Sequence, residues 1–185
     1  MRSKDNRGFS LIELIVAVLI MAIVAGSAIM AVSVVNNAKT EKAALLVSNV
    51  LRQARQKAIS IKNDGTADSQ VYLHFYIDDG NVHADLHKID GTSDTKLVEE
   101  KIGNDSVSLT LRKADVTNPS SISDPCTLDD ANDFKIYFKK STGGISKITY
   151  GSTEKNDMNE IYITGVGDDR KIILVGATGR AYYDE

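Results

Sequence analysis

Tryptophan is absent from these 185 residues, cysteine occurs once, proline twice and histidine three times. A lone Cys126 closes no disulfide within the chain and excludes every multi-cysteine zinc pattern, so stability must come from a packed core. With 22 Lys and Arg against 25 Asp and Glu the net charge is −3, and no basic run is present to grip a phosphate backbone. No nucleic acid is therefore expected as a direct partner. Catalytic signatures are missing as well: there is no G-x-S-x-G, no H-E-x-x-H and no P-loop, and Gly165-Val166-Gly167 runs on into Asp168-Asp169-Arg170 rather than a third glycine. The expectation is a chain that is not an enzyme and takes no cofactor. Its composition, 42% hydrophobic and 25% charged, is that of a globular protein with room for one domain.

The apolar residues are unevenly spread. Residues 1–8 carry Arg2, Lys4 and Arg7 against Asp5, and the 22 residues from Leu14 to Val35 then carry no charge at all. As a helix that run spans about 33 Å, enough for the hydrocarbon core of a bilayer. The positive flank precedes it, which predicts a cytoplasmic amino end and an extracytoplasmic remainder. Three readings fit such a segment: a secretory signal, a plain single-pass anchor, and a leader cut on the cytoplasmic side. A secretory signal has a shorter apolar region, about 7–15 residues, than the one preceding Ala31-Val32-Ser33.

Glu13 separates the other two. Locally, Ser10-Leu11-Ile12-Glu13 fits the S-x-x-E capping box, and an acid in the first turn complements the helix dipole. If the chain is cut between Gly8 and Phe9, the new Phe9 amine is a positive charge at the edge of an apolar helix, and Glu13 is the only acid between Phe9 and Val35. In a bundle of such helices each carboxylate can pair with a neighbour's amine, offsetting the desolvation of both.

The run Gly8-Phe9-Ser10-Leu11-Ile12-Glu13-Leu14, followed by a long apolar stretch, resembles the processing site of type IV prepilins and type II secretion pseudopilins. The resemblance implies a prepilin peptidase that cuts between Gly8 and Phe9 and methylates the new terminus, with Glu13 as the assembly glutamate. It also implies other pilin or pseudopilin subunits, a polytopic platform protein and a cytoplasmic assembly ATPase as partners. The chain would sit single-pass in the cytoplasmic membrane before assembly and in an extracytoplasmic filament afterwards. Loss of residues 1–8 leaves 19 basic against 24 acidic residues. Many major pilins have a proline in this helix; here Gly26-Ser27 is the one weak point, since Gly costs about 1 kcal/mol relative to Ala.

Beyond the apolar run, Val47, Val50, Leu51, Ala54, Ala58 and Ile61 form one stripe of an amphipathic helix that ends at Asn63-Asp64-Gly65. The period then changes to two. Val71–Ile77 and Val82–His87 flank Asp78-Asp79-Gly80-Asn81, a hairpin signal, and further strands are predicted over 96–102, 106–111, 134–138, 145–150, 160–164, 171–175 and 180–183. Residues 113–133, with both prolines, Cys126 and five aspartates, read as a long loop. The fold class is α+β: a long N-terminal helix packed on antiparallel β-sheet, as the pilin resemblance also implies. The expected division is a leader over 1–8, a membrane or filament-core helix over 9–35, an amphipathic continuation over 36–62 and a β-rich head over 66–185.

Phe134–Phe138, Ser141–Ile145, Ile161–Ile163, Lys171–Val175 and Gly179-Arg180, together with Ala54-Arg55 on the helix, are similar to the H-type pseudopilin and FimT-like minor pilin group. That likeness implies a minor subunit; a major pilin, or an anchored binding domain that never polymerises, are the rival readings.

The histidines form the one cluster that looks like chemistry. A two-residue Asp79-Gly80 turn pairs Tyr76 with His83, His74 with Asp85 and Tyr72 with His87, all on the face opposite Leu73, Phe75, Ala84 and Leu86. Alternation alone accounts for a solvated face with a His74–Asp85 pair; a zinc site built from His74, His83, His87 and the Asp85 carboxylate is the alternative. The acid pairs Asp78-Asp79, Asp129-Asp130 and Asp168-Asp169 lack calcium-loop spacing and read as turns, and Cys126 as an inert thiol.

Overall fold

The computed structural model describes residues 10–61, 70–113 and 125–184, apart from the side chains of 27–33 and 184. The chain divides into two units, Met1–Val35 and Asn36–Glu185. Helix α1 (Leu11–Ser60) continues without a break through Gly26-Ser27. In the first unit Leu11, Ile12, Leu14, Ile15, Val18, Leu19, Met21, Ile23 and Val24 are all exposed. A helix apolar on every side has no face that prefers water. Among the described residues no helix is long and apolar enough to cross a membrane. The described side chains of the apolar run stop at Gly26, whereas the uncharged sequence continues to Val35.

In the second unit the same helix turns amphipathic. Ala43, Ala44, Val47, Val50, Leu51, Ala54 and Ala58 are buried, and Arg52 and Gln56 are exposed. Ile61, the last residue of the predicted stripe, is only half-buried. Four alanines among the buried positions let strands approach the helix closely. The helix ends at Ser60; Lys62 and the predicted stop at 63–65 lie outside the described residues.

Among the described residues eleven strands follow: β1 (Gln70–Asp78), β2 (Asn81–Asp90), β3 (Ser93–Gly103), β4 (Ser108–Arg112), β5 (Cys126–Thr127), β6 (Phe134–Phe138), β7 (Ile145–Tyr150), β8 (Thr153–Glu154), β9 (Glu160–Thr164), β10 (Arg170–Val175) and β11 (Arg180–Asp184). They build a six-stranded sheet, β3-β2-β1-β6-β7-β8, and a five-stranded one, β11-β10-β9-β4-β5, with every pairing antiparallel. The inner faces of both sheets and the apolar face of the helix share one core, with Phe75, Phe134 and Phe138 its largest fully buried side chains. β3, at one margin of the larger sheet, loses register twice against β2, between Val82 and His83 and between Leu86 and His87.

The predicted hairpin is present in its predicted register, with Asp79 at φ 47° and Gly80 at φ 70° forming the turn. Two-residue strands β5 and β8 have no period for a sequence to display, and they exist because β4 and β7 offer them a partner. The loop expected over 113–133 is therefore corrected at its end: Cys126-Thr127 pair with β4, Leu128 N–H donates to the Leu109 carbonyl, and Asp129 caps a turn by accepting from Ala131 and Asn132 N–H. Residues 114–124 lie outside the described residues.

Where the helix ends, the β6–β7 and β10–β11 turns meet it. The Ala58 carbonyl, which accepts from Ile61 N–H in the last helical turn, also accepts from Ser141 N–H at 3.1 Å. Arg55 Nε donates to the Thr178 carbonyl at 2.7 Å, and Ile145 N–H to the Gly176 carbonyl at 2.7 Å. Gly179 sits in this junction at φ 63°, and a Cβ there would run into the Gly143 carbonyl. Positive φ and backbone contact act together at this position. Gly179→Ala is expected to destabilise the protein by about 2–3 kcal/mol, lowering the thermal midpoint by roughly 5–10 °C. Gly80→Asn, in open space and at a φ that Asn tolerates, should shift it by less than about 2 °C. Circular dichroism melts of the two variants check the contrast.

Candidate assembly and processing site

Ser10 and Glu13 form the cap at the start of α1. Ser10 N–H donates to Glu13 Oε2 at 3.0 Å, Ile12 N–H donates to Ser10 Oγ at 3.3 Å, and Leu14 N–H closes the first turn on the Ser10 carbonyl at 3.2 Å. Two donors at the helix start, Ser10 N–H and Ile12 N–H, are thus satisfied by the Glu13 and Ser10 side chains. Glu13 is exposed and uses one carboxylate oxygen for the cap, so the group remains open to solvent beside an all-apolar helix. Gly8 and Phe9, the residues of the expected cleavage, lie outside the described residues. What is described is an acid fixed at the first turn of a helix whose exposed apolar side chains find no cover in their own unit.

The family model of the prokaryotic N-terminal methylation motif matches residues 3–29. The chain carries the amino-terminal signature of type IV pilins and pseudopilins. No curated protein and no solved structure matches it. In proteins with this signature the subunit is a pilin or pseudopilin that assembles with others of its kind and is processed by a prepilin peptidase; the pilin-type segment here comprises the capped Ser10–Glu13 turn and the first part of the exposed apolar helix.

The second set of expected site residues lies on the outer face of the six-stranded sheet. Two ring stacks run side by side there. In one, Tyr72 lies between Tyr137 and His87, with centroids 5.1 and 4.8 Å away; in the other, Tyr76 lies between His74 and His83, at 4.8 and 5.5 Å. The face is not solvated as expected: Tyr72 and Asp85 are buried and the rings shield one another. The expected His74–Asp85 pair is not formed either. His74 Nε2 lies 2.6 Å from Asp133 Oδ2, whereas Asp85 Oδ2 accepts from the Tyr76 hydroxyl at 3.1 Å and faces Lys96 Nζ at 3.3 Å. The reason is the second neighbour of β1: β6 pairs with it on the side away from β2, which brings Asp133 at the start of that strand to His74.

His87 Nδ1 lies 2.9 Å from Asp94 Oδ1, and His83 Nδ1 lies 3.8 Å from Glu99, too far for a hydrogen bond. Each histidine thus has its own nearest carboxylate. Among the described residues no group of three or more His, Cys, Asp or Glu is placed to hold a metal ion, so His74, His83, Asp85 and His87 do not converge on the zinc arrangement. Asp94, Asp133, Glu99 and Lys96 escaped the sequence reading, since each reaches the face through strand pairing rather than local spacing.

Burial raises the Tyr72 phenol, helped by the Asp94 carboxylate that accepts its proton. Desolvation by itself would raise Asp94, yet the hydrogen bonds from Tyr72 and His87 hold it below the usual carboxylate range. For His74, burial outweighs the pull of Asp133 and pushes the imidazole below its ordinary range. A histidine less basic in the fold binds protons more readily once unfolded. Stability carried by neutral His74 is therefore complete above the unfolded value near 6.5 and is lost as pH falls from there through the lower folded value. The urea midpoint should drop between pH 7 and pH 5, and the drop should shrink in His74→Gln; parallel pH profiles for the two proteins would exclude this role.

Proposed function

We propose that this chain is a minor pilin or pseudopilin, inserted in the membrane through the uncharged run that ends at Val35, cleaved between Gly8 and Phe9, and assembled into a filament by its helix. The observation that carries the reading is the methylation-motif match over 3–29, joined to a capped Glu13 next to exposed apolar side chains on every side of the helix. Burying each large apolar side chain in a bundle contributes roughly 1.5–3 kcal/mol, so neighbouring helices or lipid are the natural cover. Glu13, paired with the Phe9 amine of the adjacent subunit, sets the axial register. The platform protein and the assembly ATPase supply insertion into the filament and its force. The minor-subunit assignment is supported by the meeting of Arg55, Thr178 and Gly179, since the Ala54-Arg55 and Gly179-Arg180 pairs are shared with the H-type group.

Two measurements test this. Mass spectrometry of the native amino terminus should find it at Phe9 and methylated in a strain with the peptidase, and at Met1 in a strain without it. Glu13→Gln keeps an oxygen to accept the Ser10 N–H and removes only the charge. It should enter membranes normally but incorporate into filaments at about a tenth or less of the normal level, a step of about 1.4 kcal/mol or more. Normal incorporation of Glu13→Gln would reduce the residue to a helix cap.

A further inference from the structure

Three lysines meet in a pocket of about 370 Å³ in the second unit: Lys39 and Lys42 from the helix and Lys101 from β3, over a floor that includes Ile102 and Val107. No carboxylate lines it. Among the described residues none of the three lysines has an ion pair, whereas Lys88, Lys96, Lys113, Lys135 and Lys171 each have one. Asn104, also in the lining, has its side-chain oxygen engaged by the Ser106 hydroxyl, which leaves its amide N–H groups as donors. Asp105, the next residue, lines a separate groove with Asp129 and Asp130. In an acidic chain this is a gathering of cations without counter-charge, furnished with an amide donor and an apolar floor, and it suits a phosphate bearing a hydrocarbon tail.

We infer that this pocket binds the phosphate of an anionic membrane phospholipid. The inference rests on the membrane insertion proposed above. Lys39 is four residues past Val35, about 6 Å of helical rise, and Lys42 three residues further. Counted along the sequence, the two helix lysines of the pocket follow directly on the uncharged run, where anionic headgroups would border an inserted segment. Lysines repel the ammonium of a zwitterionic headgroup, which favours a lipid with net negative charge.

Native mass spectrometry of the full chain in neutral detergent, titrated separately with phosphatidylglycerol, phosphatidylcholine and inorganic phosphate, tests the assignment. One phosphatidylglycerol per chain is expected, retained more strongly than phosphatidylcholine. The triple variant Lys39→Gln/Lys42→Gln/Lys101→Gln should bind it roughly a hundredfold more weakly, while Lys57→Gln, an exposed helix lysine outside the pocket, should bind it as before. Unchanged retention by the triple variant overturns the inference. Displacement by millimolar inorganic phosphate assigns the pocket to free phosphate and overturns the lipid; so does a lysine-dependent dimer without lipid, which points to an acidic face of a second copy. Membrane fractionation of the native protein stands apart from these outcomes: a chain absent from the membrane fraction defeats the insertion reading, and a chain present there that retains lipid without the lysines defeats only this one.

Discussion

Apolar surface has to be covered, and this chain meets that demand differently in its two units. From Asn36 onward the helix narrows its apolar residues to one stripe, and the two sheets supply the cover: Val47, Leu51, Ala54 and Ala58 lie within the same core as Phe75, Phe134 and Phe138. Before that point the described apolar side chains, from Leu11 to Val24, are exposed all the way round the helix. A soluble monomer would spend stability on such a surface. In the proposed reading a bilayer or other helices cover this unit, and the position of Glu13 fits that reading. An acid is tolerable at the first turn, where it satisfies the Ser10 amide and complements the dipole, and costly anywhere deeper.

How far the sequence disclosed the fold depended on the range of the interaction. The Asp79-Gly80 turn determines its own hairpin register, because both residues take positive φ and two-residue turns with that geometry leave one pairing. The buried stripe on the helix and the bounds of β6, β7 and β9 were equally local matters of period and breaker residues. β5 and β8 were not, and neither was the order of strands. That β6 lies beside β1 depends on a pairing across some sixty residues of chain, so the partner of His74 could not be read from the hairpin alone.

The same division runs through the candidate sites. The amino-terminal signature is a contiguous string in which charge, Gly-Phe junction, acid and apolar run must follow at fixed spacing, so it was visible before any folding was considered. The ring and carboxylate layer on the outer sheet face was visible only in part. Alternation put Tyr72, His74, Tyr76, His83, Asp85 and His87 on one side, as they are, but the acids that partition the histidines come from β3 and from the approach to β6. The lysine pocket likewise joins a helix to a strand some sixty residues away, and nothing in the spacing of Lys39, Lys42 and Lys101 announces it.

The irregular pairing of β3 bears on how many copies can live together. An outermost strand with open amide and carbonyl groups is a template on which a second sheet can zip, and a protein concentrated in a membrane patch would meet that hazard constantly. Here the strand is charged, with Asp94, Lys96, Glu99, Glu100 and Lys101 along it, and its two register breaks twist it away from flatness. The opposite margin is only two residues long. Both margins of the larger sheet are therefore poor templates for zipping onto a second copy, and in the proposed filament the joining of subunits falls to the greasy helix instead.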